Sequence, residues 1–421
     1  MNSNAQNSVP QDNVKFMVVS DIHYFAPSLF SLPANKDLQH YLASDRKLIL
    51  ESDDIFKSFT KEVFKEKPDF LLIPGDLTKD GEKISHTKLT SILDTFRVKG
   101  IKVLVIPGNH DINNSQSYSY VGNAKTPVAN VSANEFKKIY RNFGYKNAVA
   151  LDQNSLSYVY EPVKGLWIMG IDACHYYPKS ETSGSLSSEN LKWIKSIVQK
   201  AQTENKILLA MMHHGIVEHF IGQSSIFPEY LVSDWQNISD SMANEGLKIV
   251  FTGHFHAQDI VKKVSGNGNK IYDIETGSSV TFPCPYRIVN LNLQNKILDV
   301  STKFITDVKT KSIPADIDFS TYAKNFLTNG LTDFSFKILT NSYYIPSDLM
   351  SEYQLNKVFA NAFVAHYAGN ETPTDSDKEN MQEILSINPL LGTILKNIWT
   401  DNEPNDLKLS IDLKTGEILS K

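Results

Sequence analysis

The N-terminal part of the chain alternates short apolar runs with longer amphipathic stretches. "VKFMVVS" (14–20), "DFLLIPGD" (69–76) and "IKVLVIPGNHD" (101–111) are strand-length runs that stop at polar turns. Between them, residues 45–67 and "ISHTKLTSILDTFRVKG" (84–100) carry helical periodicity, the second stopping at Gly100. Residues 112–151 are rich in Asn, Ser and Tyr, with a helix expected near 134–142. They predict an insertion above the strand ends. "SLSYVYEP", "GLWIMGID", a helix over 188–201, "KILLAMMHHG", a helix over 234–244 and "LKIVFTGHFH" resume the alternation. This order implies βαβ units around a largely parallel inner sheet.

Closely spaced strands follow: "DIVKKV", "KIYDIE", "SSVTF", "YRIVNLNL" and "KILDVSTKFI". The Gly-Asn turn in "VSGNGNK" marks a hairpin between two of them. They predict an antiparallel flank or a second sheet. Beyond residue 306 the pattern turns helical to about 399, punctuated by Pro314, Pro346, Pro373 and Pro389. "LKLSIDLKTGEILSK" then alternates around a Thr-Gly turn and predicts a terminal hairpin. The expected division is a flexible leader (1–13), a catalytic unit (14–305) and a mainly helical domain (306–421).

Composition narrows the choices. With 421 residues and 41% hydrophobic content the chain can bury a large core. A net charge of -5 argues against a protein that coats duplex nucleic acid. Two cysteines, Cys174 and Cys284, exclude a disulfide scaffold and a cysteine-rich zinc module. No apolar run reaches the roughly 18 residues that a membrane span needs. The polar start "MNSNAQNSVPQDN" fits a cytoplasmic protein, or an exported one whose signal has been removed.

The candidate chemistry lies at strand ends. Five apolar runs finish in Asp21-Ile22-His23, Gly75-Asp76, Gly108-Asn109-His110-Asp111, His213-His214-Gly215 and Gly253-His254-Phe255-His256. Ligands of open α/β sheets bind beyond the carboxyl ends of strands, so these segments are expected to converge. Their oxygen and nitrogen donors suit Mn, Fe, Zn or Ni. The i, i+2 spacing of Asp21/His23 and His254/His256 would keep both side chains on one side of an extended chain. Gly75, Gly108 and Gly253 would allow sharp exits and close backbone approach. His40, His86, His175, His219 and His366 lack this grammar and read as solvated or packed, with His175 and His219 the candidates to line a pocket.

In this order the blocks D-x-H, G-D, G-N-H-D, H and G-H-x-H resemble the calcineurin-like metallophosphoesterases, over residues 14–305. "GDLTKDGEK" and "ETGSSVTFPCPYR" look most like the class III cyclic-nucleotide phosphodiesterases and related bacterial enzymes. The resemblance implies an α/β fold (α+β in detail): a two-sheet sandwich flanked by helices, here with a C-terminal helical domain. It implies two divalent ions, Mn and/or Fe, with Zn or Ni open. Asp21, His23, Asp76 and His256 would hold the first. Asp76 would bridge to the second, held also by Asn109, His213 and His254. His110 would act as general acid with Asp111 orienting it. His214 would stand behind the ligands or at the pocket. Apart from the resemblance, Arg287 is as much a candidate to touch substrate phosphate as an exposed loop residue, while Lys79 and Tyr24 read first as exposed loop residues. Purple acid phosphatases place a tyrosine ligand three residues after the G-D aspartate. Lys79 stands there in this chain, so a tyrosinate-iron centre is not expected.

The implied activity is hydrolysis of small phosphodiesters, cyclic nucleotides among them, by hydroxide held between the metals. A phosphomonoesterase or protein phosphatase on the same site is the second reading. The third is a scaffold that has lost catalysis, which the full ligand set argues against. The expected partner is a small diester; oligomerisation is left open.

Overall fold

Apolar runs become strands where both faces of a sheet are covered; a computed structural model describes residues 12–43, 45–314 and 316–419. Most of the expected leader lies outside the described residues. The strands are β1 (Asn13–Val18), β2 (Phe70–Pro74), β3 (Lys102–Ile106), β4 (Tyr118–Ser119), β5 (Thr126–Pro127), β6 (Ala150–Leu151), β7 (Tyr158–Val163) and β8 (Leu166–Ile171). They continue with β9 (Ile207–Met212), β10 (Ile249–Thr252), β11 (Ile260–Val264), β12 (Lys270–Glu275), β13 (Pro285–Asn292), β14 (Ile297–Phe304), β15 (Lys408–Asp412) and β16 (Glu417–Ile418).

Two mixed sheets result. The first runs β16-β15-β14-β13-β1-β2-β3 and the second β11-β12-β10-β9-β8-β7-β6. Strands β1, β2 and β3 are mutually parallel, as are β8, β9, β10 and β12. The later strands divide: β11 and β12 complete the second sheet, while β13 and β14 cross to the first, β13 antiparallel to β1 and β14 antiparallel to β13. β4 and β5 form a small ribbon within the expected insertion.

The sheets pack face to face. Phe16 of β1 stacks on Phe70 of β2 at 4.6 Å and meets Phe251 of β10 edge-on at 5.6 Å. The period-2 alternation of strands explains why β9 is apolar throughout. Leu209 and Met211 enter the core between the sheets, whereas Ala210 and Met212 face the outer helices. Those outer helices, Ser188–Thr203 and Trp235–Glu245, lie where the helical periodicity places them. Each of the first three crossover-type units therefore delivers its polar turn to the same end of the sandwich.

A third core belongs to the C-terminal helices between Phe319 and Ile398. The terminal hairpin β15–β16 then extends the first sheet beside β14. One expected strand is absent: "SSVTF" forms turns. Its Ser278 is used as a tether, bridging to Ser20 and donating its hydroxyl to the Asp21 carbonyl at 2.8 Å. The cysteines are free thiols. No described helix is long and apolar enough to cross a membrane.

Candidate metal centre

The turns after β1, β2, β3, β9 and β10 meet at one end of the sandwich. Asp21, His23, Asp76 and His256 bring ligand atoms within 4.8 Å of one another, and so do Asp76, His213 and His254. Asp76 belongs to both groups. Its Oδ2 lies 3.6 Å from His23 Nε2, 3.5 Å from His213 Nε2 and 4.0 Å from His110 Nε2. Its Oδ1 is fixed by the His110 backbone N–H at 2.9 Å. Asn109 Oδ1 adds an oxygen 3.0 Å from His213 Nε2. His23 Nε2 and His256 Nε2 face each other at 3.2 Å, and His256 Nε2 lies 3.3 Å from Asp21 Oδ1.

The backbone that presents these groups is left-handed, not extended. Asp21 (φ 50), His23 (φ 41), Asp76 (φ 46), His254 (φ 78) and His256 (φ 70) all have positive φ. The i, i+2 spacing thus works by a different geometry from the one expected: each ligand sits on a tight turn beyond its strand. Non-glycine residues pay for this conformation in steric strain, which the surrounding hydrogen bonds must hold. Gly108 and Gly253 serve close approach: a Cβ on them would lie 2.2 Å from Asp76 Oδ1 and 2.3 Å from Asp21 Oδ2.

The donor set fits divalent ions. Burial keeps His23 and His256 below their ordinary pKa, as neutral imidazoles with a lone pair to give. Burial also opposes charge on His213, yet Asp76 draws its pKa up to about 9, so this point attracts a cation. His213 Nδ1 donates to the Pro74 carbonyl at 2.9 Å, leaving Nε2 for the cluster. His254 Nε2 donates to the Glu229 carbonyl at 3.2 Å, leaving Nδ1. Outer partners of this kind fix tautomer and ring orientation in metal sites.

A family model for calcineurin-like phosphoesterases matches residues 14–258. The chain belongs to this family. The phosphoesterase is 25% identical over 241 residues to a probable cyclic nucleotide phosphodiesterase of Ruthia magnifica subsp. Calyptogena magnifica, covering 57% of its own length and 79% of the relative's. Among solved structures it is similar to a dimetal phosphatase from Danio rerio (TM-score 0.46, 11% identity, 70% of this chain and 97% of that chain). It is also similar to a Plasmodium protein described as the anchor in the inner membrane complex (TM-score 0.37, 12% identity, 76% of this chain and 94% of that one). Family and cluster together make it a metallophosphoesterase, a metal-dependent hydrolase with a dinuclear metal-binding site.

Other side chains sit elsewhere than expected. Asp111 does not touch the His110 ring. Its carboxylate accepts backbone N–H groups of Gly108, Leu77 and Thr78 at 2.8, 3.0 and 2.9 Å, together with the Thr78 hydroxyl. It locks the turn that carries Asp76. The phosphoesterase orients His110 through Asp80 instead: His110 Nδ1 lies 3.0 Å from Asp80 Oδ1 and 2.7 Å from the Lys79 carbonyl. Burial opposes protonation of His110, but Asp76 and Asp80 hold its pKa above the ordinary value. Asp80 stands inside "GDLTKDGEK", four residues after the Asp76 ligand and 30 before His110.

Arg287 is fully buried away from the cluster and donates to the carbonyls of Asp406, Asp259 and Glu275. A guanidinium with no exposed surface, its terminal nitrogens held by backbone oxygens, does not reach a substrate phosphate. His214 is buried behind the ligands, with Nε2 donating to the Thr182 carbonyl at 2.9 Å and its ring 4.5 Å from that of His254. Lys79 is buried too, paired with Asp80 and lying over the Tyr41 ring. Tyr24 is buried and donates to Asp53. His86 packs inside, bonded to Tyr140 and to the Asp111 carbonyl. His219 lies in an internal network with Asp259 and Glu275, and His175 bonds Ser185. A cation the motif reading overlooked is Lys47. Its charge works against protonation of His23, His110 and His256, so it adds positive potential at the site.

Proposed function

We propose that this phosphoesterase hydrolyses small phosphodiesters, cyclic nucleotides among them. The observation that carries this reading is His110. Asp80 and the Lys79 carbonyl hold its Nδ1, its Nε2 looks toward Asp76, and its side chain is 24% exposed, more than any of the histidine ligands. A diester expels an alkoxide, which needs a proton as the P–O bond breaks. An imidazole fixed at one nitrogen and open at the other is built to give it, an effect worth roughly 10²–10⁴-fold. The name of the bacterial relative points the same way.

Two divalent ions on Asp21, His23, Asp76, His256, Asn109, His213 and His254 would neutralise the phosphate and make a nucleophile available near neutral pH. The chain's own residues do the rest. Asp76 holds the two halves of the site at one distance. Asp111 holds the turn that bears Asp76. Asp80 accepts the Nδ1–H of protonated His110 and favours the imidazolium, whose second proton, on Nε2, faces the leaving oxygen; giving it up leaves a neutral ring with its remaining proton at Nδ1. Lys47 adds positive potential for an anionic substrate.

The test is paired hydrolysis after Mn²⁺ reconstitution. Faster cleavage of bis-p-nitrophenyl phosphate than of p-nitrophenyl phosphate supports the diesterase, and a cyclic-nucleotide panel follows. Faster cleavage of the monoester would make the enzyme a phosphomonoesterase.

A further inference from the structure

The two histidines of Gly253-His254-Phe255-His256 turn toward the metal centre, and the residue between them turns the other way. Phe255 is 4% exposed and is part of the core of the C-terminal helices, not of the sandwich core. Its ring lies 5.8 Å from His366 and 6.0 Å from Tyr367, both on the helix Leu355–Tyr367. It also meets Phe227 at 5.9 Å and Tyr230 at 5.1 Å. Left-handed residues on both sides make this reversal possible.

A second strut reaches the same loop. Phe227 stacks on Phe334 of the helix Phe319–Asn341, with ring centres 5.9 Å apart. The turn Pro228–Tyr230 follows directly, and its Glu229 carbonyl takes the His254 Nε2 hydrogen bond. Tyr230 lies against the His254 ring at 4.8 Å. Just past the motif, the Gln258 N–H donates to the Tyr367 carbonyl at 3.3 Å. A Cβ on Gly369 would lie 2.4 Å from the Gln258 carbonyl, so the two backbones are in close contact.

We propose that Phe255 is a positioning residue and that the helical region is the clamp that sets His254 and His256 for metal binding. The strained turns at both histidines are held from outside the sandwich. A phenyl ring seated between helices resists rotation of the loop, and the Glu229 carbonyl resists rotation of the His254 ring. This inference rests on the reading of His254 and His256 as ligands.

The experiment is a Mn²⁺ titration of the full chain, with free ion read by electron paramagnetic resonance. Phe255→Ala should weaken Mn²⁺ binding at least tenfold while circular dichroism shows a folded chain. Leu395→Ala, in the same core but on the helix Pro389–Ile398, should bind Mn²⁺ like the wild type. Should Phe255→Ala fail to fold, Phe255→Leu takes its place, with a twofold or greater loss expected. Wild-type affinity in the folded Phe255 variant would overturn the clamp, as would equal loss in Leu395→Ala. A wild type that binds no Mn²⁺ would instead overturn the ligand reading itself.

Discussion

The two halves of the metal centre share Asp76 but are held by different means. On the second half, His213 and His254 each spend one ring nitrogen on a backbone carbonyl, those of Pro74 and Glu229. On the first half, His23 Nδ1 is buried without a hydrogen-bond partner among the described residues, and its orientation rests on packing and a left-handed turn. Asp21 there is tied by the Ser20 hydroxyl and the His254 N–H. An imidazole bonded at its outer nitrogen has its tautomer and angle decided before an ion arrives. The second half is therefore oriented by hydrogen bonds at both histidines, while in the first the His23 ring is left for the ion to complete.

The largest effect comes from removing what the halves share. Asp76→Ala should take hydrolysis to background together with the metal, measured in one preparation by activity and by elemental analysis. Next is His110→Ala, which should lower turnover by roughly 10²–10⁴-fold while metal content stays near wild type. Loss of metal in that variant would move His110 into the ligand set.

Asp80→Asn should cost roughly 10–100-fold in turnover, because the outer partner of His110 is weakened. Asp111→Asn should instead show first as a lower unfolding temperature. The reverse order would restore Asp111 as the partner of His110. The difference between halves can be read directly by slow chelation: the ion on Asp21, His23 and His256 should leave first, followed by spectroscopy of a Co²⁺-substituted protein. Simultaneous loss would remove the distinction.

The smallest effect lies outside the centre. Burial lowers the pKa of His86 to about 4 from an ordinary 6.5. A histidine held neutral in the fold supports stability above pH 6.5. That support is lost as pH falls toward 4, because the unfolded chain takes up a proton that the folded chain refuses. The loss is at most about 1.4 kcal/mol for each pH step of one. Urea unfolding at pH 7 and pH 5 should show a shallower fall for His86→Gln than for the wild type.

Much of this was legible in the sequence. Continuous apolar runs gave β1, β2, β3, β9 and β10, and the motif at each strand end told where the chain would converge. What was not legible depends on contacts across sequence distance. The class of Arg287 is clear from its charge, but its burial by carbonyls of Asp259, Glu275 and Asp406 is a tertiary fact. Asp111 adjoins His110 in the chain whereas Asp80 lies 30 residues before it, and only the fold selects Asp80. The "SSVTF" run has strand propensity, but Ser278 is claimed by the Asp21 carbonyl. Phe255 reads as a filler between two histidines, and its partners lie more than a hundred residues away on the helix Leu355–Tyr367.

The central claim is a dinuclear centre whose halves meet at one carboxylate. Metal content per chain, by elemental mass spectrometry on the wild type and on His23→Ala, His213→Ala and Asp76→Ala, tests it most directly. The account predicts two ions in the wild type, one in each histidine variant and none in Asp76→Ala. A single ion in the wild type, or two retained by Asp76→Ala, would contradict it.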